Sequence, residues 1–218
     1  MRPISNFDIY IFDCDGVILN SNQLKIDAMR NVLSDFFDNN DEIDNCVSYF
    51  TNNFGKSRFH HVDVFLSKYL SISNDNIEII REAILNAYSI MCKKLYLKAD
   101  ITPGFLDFLR GLHGRKFIAS GSEQEELRYI FNQRKLDHLF DGIYGSPIAK
   151  SDNINTILKN QHNVNAVMFG DAISDLNAAL DNNIEFFAYL PFSNVAPRLK
   201  SLSIEHKFDF YNSWSEIN

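Results

Sequence analysis

The sequence predicts an α/β protein: a doubly wound parallel sheet with a helical insertion in its first connection. Three observations predict it. A β-prone run, residues 8–12 (DIYIF), stands near the start. Residues 20–99 then carry helical periodicity with no strand. From about residue 100 strands and helices alternate. That alternation marks parallel strands joined by crossover helices. The core is therefore discontinuous, residues 1–19 plus 100–218, and residues 20–99 form an inserted helical unit.

Each element follows from its pattern. The run at 8–12 is apolar throughout, as in a strand buried on both faces. Leu24, Ala28, Val32, Leu33 and Phe36 fall at helical spacing, with Asn20 or Ser21 as the cap. Polar residues 38–45 read as a loop and helix start. Ile43, Val47 and Phe50 mark a second helix, and Val62, Phe65, Leu66 and Tyr69 a third. A fourth runs from about Asn74 to Lys94. Pro103-Gly104 signals a turn before a short helix (FLDFLRGL). A strand from Lys116 to Ala119 ends in Ser120-Gly121-Ser122, and a helix runs from Glu123 to Arg134. A strand at 142–145 enters the loop SPIAKSDN, and a helix begins at Asn153. A strand at 166–171 (AVMFGD), a helix (SDLNAALDNN) and a strand (EFFAYL) follow.

Composition narrows the function. The 218 residues are 45% hydrophobic and 22% charged, as in an ordinary soluble protein, and the net charge of −7 argues against a nucleic-acid partner. No run of 18 apolar residues suggests a membrane span, and the first ten residues lack a signal-peptide core. Cys14, Cys46 and Cys92 are few and widely spaced, so they read as reduced thiols without metal spacing, in a cytoplasmic protein.

The polar residues at the strand ends carry the chemistry. In open α/β sheets ligands bind at the carboxyl ends of the strands. The first strand ends in Asp13 and Asp15, the second in Ser120. Lys150 follows the third, and the fourth ends in Gly170-Asp171 with Asp175 one helical turn on. Carboxylates gathered in so small a volume require a cation, and Mg²⁺ suits carboxylates joined by a substrate phosphate. Ser120 and Lys150 are then free to hold phosphate oxygens. Singly, each residue has a plainer use: Asp171 and Asp175 at a helix N-terminus, Ser120 as a cap, Lys150 as a loop lysine. Together at four strand ends they read as one site.

In these motifs the chain resembles the haloacid dehalogenase-like hydrolases, subfamily I, with a helical cap of the C1 type. DCDGV (13–17) matches the family's first motif, IASGS (118–122) its serine or threonine motif, Lys150 its lysine, and GDAISD (170–175) its last motif. The insertion falls where that cap belongs, so the resemblance covers nearly the whole chain. It implies a Rossmann-like core. It implies Asp13 as a nucleophile that forms an aspartyl-phosphate, and Asp15 as general acid and base. Ser120, Gly121 and Lys150 would hold the phosphoryl group. Mg²⁺ would be bound by Asp13, the Asp15 backbone carbonyl and Asp171, with Asp175 supporting its waters or orienting Lys150. Gly16 would permit the bend that Asp15 needs. Relatives often have Lys-Pro where this chain has Lys150-Ser151, and an apolar residue where it has Cys14, which reads as a buried filler.

The expected activity is a Mg²⁺-dependent phosphatase acting on a small phosphate monoester. Asp15 argues against dehalogenation, since the family's dehalogenases lack this second aspartate. The loop NNFGKSRFHH (52–61) resembles the substrate loop of cap members such as β-phosphoglucomutase, so Lys56 and Arg58 would meet a second anionic group or the substrate phosphate. Such mutases carry a histidine where this chain has Lys25, which favours hydrolysis; a phosphomutase is the alternative. A non-catalytic binding protein would have lost the nucleophile or the acid. Asn20, Ser21 and Lys25 would touch substrate near the hinge, and His60 and His61, about 100° apart on a helix, do not form a metal pair. The substrate class suggested by resemblance is a sugar, polyol or amino-alcohol phosphate in surface-polysaccharide precursor synthesis. The expected form is a monomer with no membrane or nucleic-acid partner.

Overall fold

The computed structural model describes residues 4–159 and 164–217. Strand β1 (Ile9–Phe12) is followed by α1 (Asn22–Phe36), α2 (Asn40–Asn52), α3 (Arg58–Lys68) and α4 (Ile77–Lys98). The chain continues through α5 (Phe105–Arg110), β2 (Arg115–Glu123), α6 (Gln124–Gln133), β3 (Gly142–Ser146), α7 (Lys150–Leu158), β4 (Ala166–Gly170), α8 (Ile173–Asp181) and β5 (Glu185–Tyr189). It ends with α9 (Ala196–His206) and β6 (Asp209–Tyr211).

The six strands form one parallel sheet in the order β3-β2-β1-β4-β5-β6. Alternate residues face opposite sides, as the pleat requires. Tyr10, Phe12, Ile118, Val167 and Phe169 join one apolar cluster that continues without a break into α1–α4. Ile9, Ile11, Phe117 and Met168 join another, closed by Ile154 and Ile157 of α7, Leu176 and Ala179 of α8, and Leu199 of α9. Burial on both faces explains why the strands read as unbroken apolar runs. From β1 the connections build out to β2 and β3 on one side, then return to β4, β5 and β6 on the other. The neighbouring ends of β1 and β4 are therefore the topological switch point, where such sheets bind ligands.

Four elements differ from the sequence expectations. Lys150 is the first residue of α7 rather than a loop residue, with Ala149 extended before it. A cation at a helix N-terminus opposes the dipole, and two carboxylates described below compensate. Strand β2 continues through Ser120 to Glu123, with an irregular register against β3 after Ala119. Helix α9 and strand β6 were not anticipated: β6 has only three residues, too short for a period-2 pattern to stand out. Ser57 and Asn39 cap α3 and α2 by accepting backbone N–H groups. Ser21 stands at the N-cap of α1 but makes no side-chain cap bond; its hydroxyl is committed to the site.

Candidate active site

Asp13 and Asp15 follow β1 in a turn, and their side chains serve different surroundings. Asp13 N–H donates to the Phe169 carbonyl of β4, which anchors the turn at the switch point. Gly16 has φ +74°, and a Cβ there would lie 2.2 Å from Asp171 Oδ2. No L side chain fits that backbone or that gap, so glycine lets the turn pass beside Asp171.

On the first side, one carboxylate oxygen from each of Asp13, Asp171 and Asp175 lies within 4.8 Å of the others, and all three residues are buried. Lys150 Nζ donates to Asp13 Oδ1 at 3.0 Å and to Asp175 Oδ1. The other oxygen of Asp175 accepts the N–H groups of Asp171 and Ala172 at 3.0 and 2.9 Å. Asp175 thus both closes the start of α8 and orients Lys150. Asn22 Nδ2 donates to Asp171 Oδ2 at 2.7 Å, while Asp171 Oδ1 is buried with no hydrogen-bond partner among the described residues. Burial raises the Asp13 carboxyl to about 7; Lys150 opposes this, and Asp175 and Asp15 reinforce it. Burial, then the Asp175 and Asp13 charges, hold Asp171 well above the usual carboxylate range. The Lys150 ammonium is raised by its two carboxylates against the effect of burial. One lysine does not balance three buried acids. The orphaned oxygen and the all-oxygen donor set fit a hard divalent cation such as Mg²⁺.

On the second side, Asp15 Oδ2 accepts from Lys25 Nζ at 2.8 Å and from Ser122 Oγ at 2.9 Å; Oδ1 accepts from Ser21 Oγ at 2.6 Å. The Tyr96 hydroxyl lies 2.9 Å from both oxygens. Burial would raise this carboxyl, but Lys25 and the hydrogen bonds outweigh it and hold Asp15 below its ordinary value. Ser120 is buried, and its Oγ accepts the Ser122 N–H at 3.2 Å. Gly121 packs under the Gly55 carbonyl, 2.2 Å from where a Cβ would stand.

Arg58 is buried and its Nη1 pairs with Glu126 Oε2 of α6 at 3.0 Å, so its charge is met by this chain's own carboxylate. Lys56 is exposed, with Nζ 3.5 Å from His60 Nε2, and lines a cleft of about 540 Å³ that reaches Gly121 and Lys150. Asn20 does not reach the site: its side chain is exposed and its N–H donates to the Asp100 carbonyl. Ser21 and Lys25 reach Asp15. Cys14 is buried and burial raises its thiol far above the usual range, as for a filler; all three cysteines are free. Sequence reasoning missed Asn22, Tyr96 and Glu126 as site neighbours. Ser122 lay within a quoted motif, and its position two residues after Ser120 was the available signal.

The model of the haloacid dehalogenase-like hydrolases matches residues 10–189, from β1 through β5. The chain belongs to this family. No curated protein matches this hydrolase. Among solved structures, a haloacid dehalogenase-like family protein from Streptococcus pneumoniae superposes with TM-score 0.69 at 18% identity, covering 98% of both chains. A protein named a predicted phosphatase from Clostridium acetobutylicum gives TM-score 0.73 at 19% identity, covering 97% of this chain and 96% of that one. A protein named a predicted phosphoglycolate phosphatase from Haemophilus somnus gives 0.73 at 14%, covering 98% and 97%. At these identities the likeness is one of fold, and this hydrolase shares the architecture of proteins named phosphatases. Among its described residues no helix is long and apolar enough to cross a membrane.

Proposed function

We propose that this hydrolase is a Mg²⁺-dependent phosphatase that cleaves a small phosphate monoester through an aspartyl-phosphate. The observation that carries the reading is the placement of Asp13. It stands at the β1/β4 switch point, beside the Lys150 ammonium and in an acidic cluster with one orphaned oxygen. Asp13, Asp171 and the Asp15 carbonyl would hold the Mg²⁺, with Asp175 supporting it from behind. Bound there, the ion offsets the repulsion between Asp13 and an incoming phosphate and polarises the phosphoryl oxygens.

In the first step Asp13 attacks phosphorus in line, and the ester P–O bond breaks. The departing oxygen takes a proton from Asp15. In the second step a water gives its proton to Asp15 and attacks phosphorus; the bond to Asp13 breaks and inorganic phosphate leaves. Ser120, Gly121 and Lys150 hold the phosphoryl oxygens as charge redistributes. Asp15, as held by Lys25, is in the ionised form that serves the second step. Carrying a proton in the first step requires that contact to loosen.

We further propose that residues 20–99 act as a cap over a core of residues 1–19 and 100–218. Gly55 against Gly121 and Arg58 against Glu126 support this reading, because both contacts join the helical unit to the core beside the site. The pairing of Arg58 favours hydrolysis over a phosphomutase, which needs a free cation for a second phosphate. By resemblance, the substrate is a sugar, polyol or amino-alcohol phosphate of surface-polysaccharide precursor synthesis, handled by a cytoplasmic monomer. The test is phosphate release from a panel of such esters with and without Mg²⁺. Release that chelation abolishes supports the proposal. Phosphoryl exchange between sugar 1- and 6-phosphates without net release would move it to the mutase.

A further inference from the structure

Beside Asp15 a small cavity has Asp15, Lys25, Lys56, Arg58, His61 and Tyr88 among its lining residues. In this arrangement it has room for about one water, ≈ 10 Å³. Its walls hold polar atoms that are buried yet find no hydrogen-bond partner among the described residues: Arg58 Nη2 and both ring nitrogens of His61. The Tyr88 hydroxyl, beside the Cys92 thiol, has no nitrogen or oxygen partner either. Behind Arg58, Glu126 accepts from Arg58 and Ser89 on Oε2 and leaves Oε1 free. Arg58, His61, Tyr88 and Glu126 are each more than nine-tenths buried. Buried polar groups are normally paired, and a cluster of unpaired ones marks a place where a partner is missing.

The charges decide what that partner is. Both buried cations of this wall already have carboxylates: Lys25 has Asp15 and Arg58 has Glu126, while the third cation, Lys56, is exposed with its Nζ 3.5 Å from His60 Nε2. Burial pushes His61 down to about 3, so it is a neutral ring with one donor and one acceptor. The unmet capacity of the buried groups is therefore mixed donors and acceptors with no net charge to neutralise. A second phosphate or a carboxylate would enter with Glu126 and Asp15 already holding the counter-charges, and would have to displace one of them. Hydroxyl groups, each both donor and acceptor, match the set.

We infer that this cavity receives an uncharged, polyhydroxylated leaving group, and that Glu126 sets this preference by neutralising Arg58. The inference rests on the phosphatase reading above. Admitting the ester requires loop 52–57, whose Phe54, Gly55 and Lys56 line the cavity, to stand further out than it does in this arrangement. Acidic phosphates such as phosphoglycolate are then poor substrates.

Two matched pairs test it: glycerol 3-phosphate against 3-phosphoglycerate, and glucose 6-phosphate against 6-phosphogluconate. Each pair has a carboxylate on only one member. We expect kcat/KM to favour the neutral member by at least about tenfold in a pair that is turned over, because a site that pairs its own charges rejects an added one. Glu126→Gln should cut that ratio by about tenfold by unpairing Arg58. Equal or reversed preference in the unaltered protein overturns the inference whatever the variant does. So does a failure to distinguish the members of either pair while p-nitrophenyl phosphate is hydrolysed. If p-nitrophenyl phosphate and all four esters are inert, the phosphatase reading fails instead. The same four esters are then titrated calorimetrically into Asp13→Asn protein with Mg²⁺. Tighter binding of the neutral members keeps the inference, and its absence ends it.

Discussion

Lys25 donates to Asp15 at 2.8 Å, ten residues along the chain and across the junction between the turn after β1 and helix α1. The pair is buried, and the contact makes α1 part of the environment of Asp15. Lys25→Met leaves the Asp15 carboxylate with hydroxyl partners only. Removing one partner of a buried ion pair costs roughly 3–5 kcal/mol, so the variant should melt well below the unaltered protein. Turnover of alkyl phosphates should fall more than that of p-nitrophenyl phosphate, whose leaving group needs little protonation. Equal losses on both substrates would remove Lys25 from any positioning of Asp15.

Asp13→Asn separates chemistry from folding. Burial already raises this carboxyl to about 7, and Lys150 keeps Asp175 when Asp13 becomes an amide. Phosphate release should drop by at least about a thousandfold, as for other lost nucleophiles. The melting temperature of the metal-free protein should be unchanged or higher, because one acid leaves a crowded cluster. A collapse of the fold would show that Asp13 is mainly structural.

Mg²⁺ should raise the melting temperature, and chelation should reverse the change. A ligand at a hundred times its dissociation constant stabilises by about 3 kcal/mol. Asp171→Asn removes the oxygen that lacks a partner and should abolish the Mg²⁺-dependent shift. A shift that survives this substitution places the ion elsewhere.

What the sequence made legible is what a topological rule can carry. Asp13, Ser120, Lys150 and Asp171 could be gathered because each follows a β-prone run, and parallel strands end on one edge. Ser122 could have been gathered the same way, since it stands on β2 two residues after Ser120. Tyr96 could not: it lies 81 residues from Asp15. Its approach depends on how α4 rotates over the sheet, and helical periodicity does not give that angle. Arg58 read as an open anion site for the same reason: its partner Glu126 looked like any first-turn carboxylate of α6. For His61 the sequence excludes a metal pair with His60 and goes no further, because its neighbours in the chain say nothing of the cavity behind it.

His61 is not a member of the acidic cluster and titrates in surroundings of its own. Burial, reinforced by the charges of His60, Lys25 and Lys56, lowers it to about 3 from an ordinary 6.5. The native imidazole therefore stays neutral where the unfolded chain takes up a proton. Stability from this residue is present above pH 6.5 and is lost as pH falls towards 3, at a slope on the order of 1 kcal/mol per pH unit. His61→Phe keeps an aromatic ring among Phe50, Tyr49 and Phe65 and cannot titrate. Urea unfolding between pH 7.5 and 4.5 should give a steeper acid-side loss for the unaltered protein than for this variant. Parallel curves would mean that the native His61 is protonated, and then the cavity would hold one more unpaired positive charge.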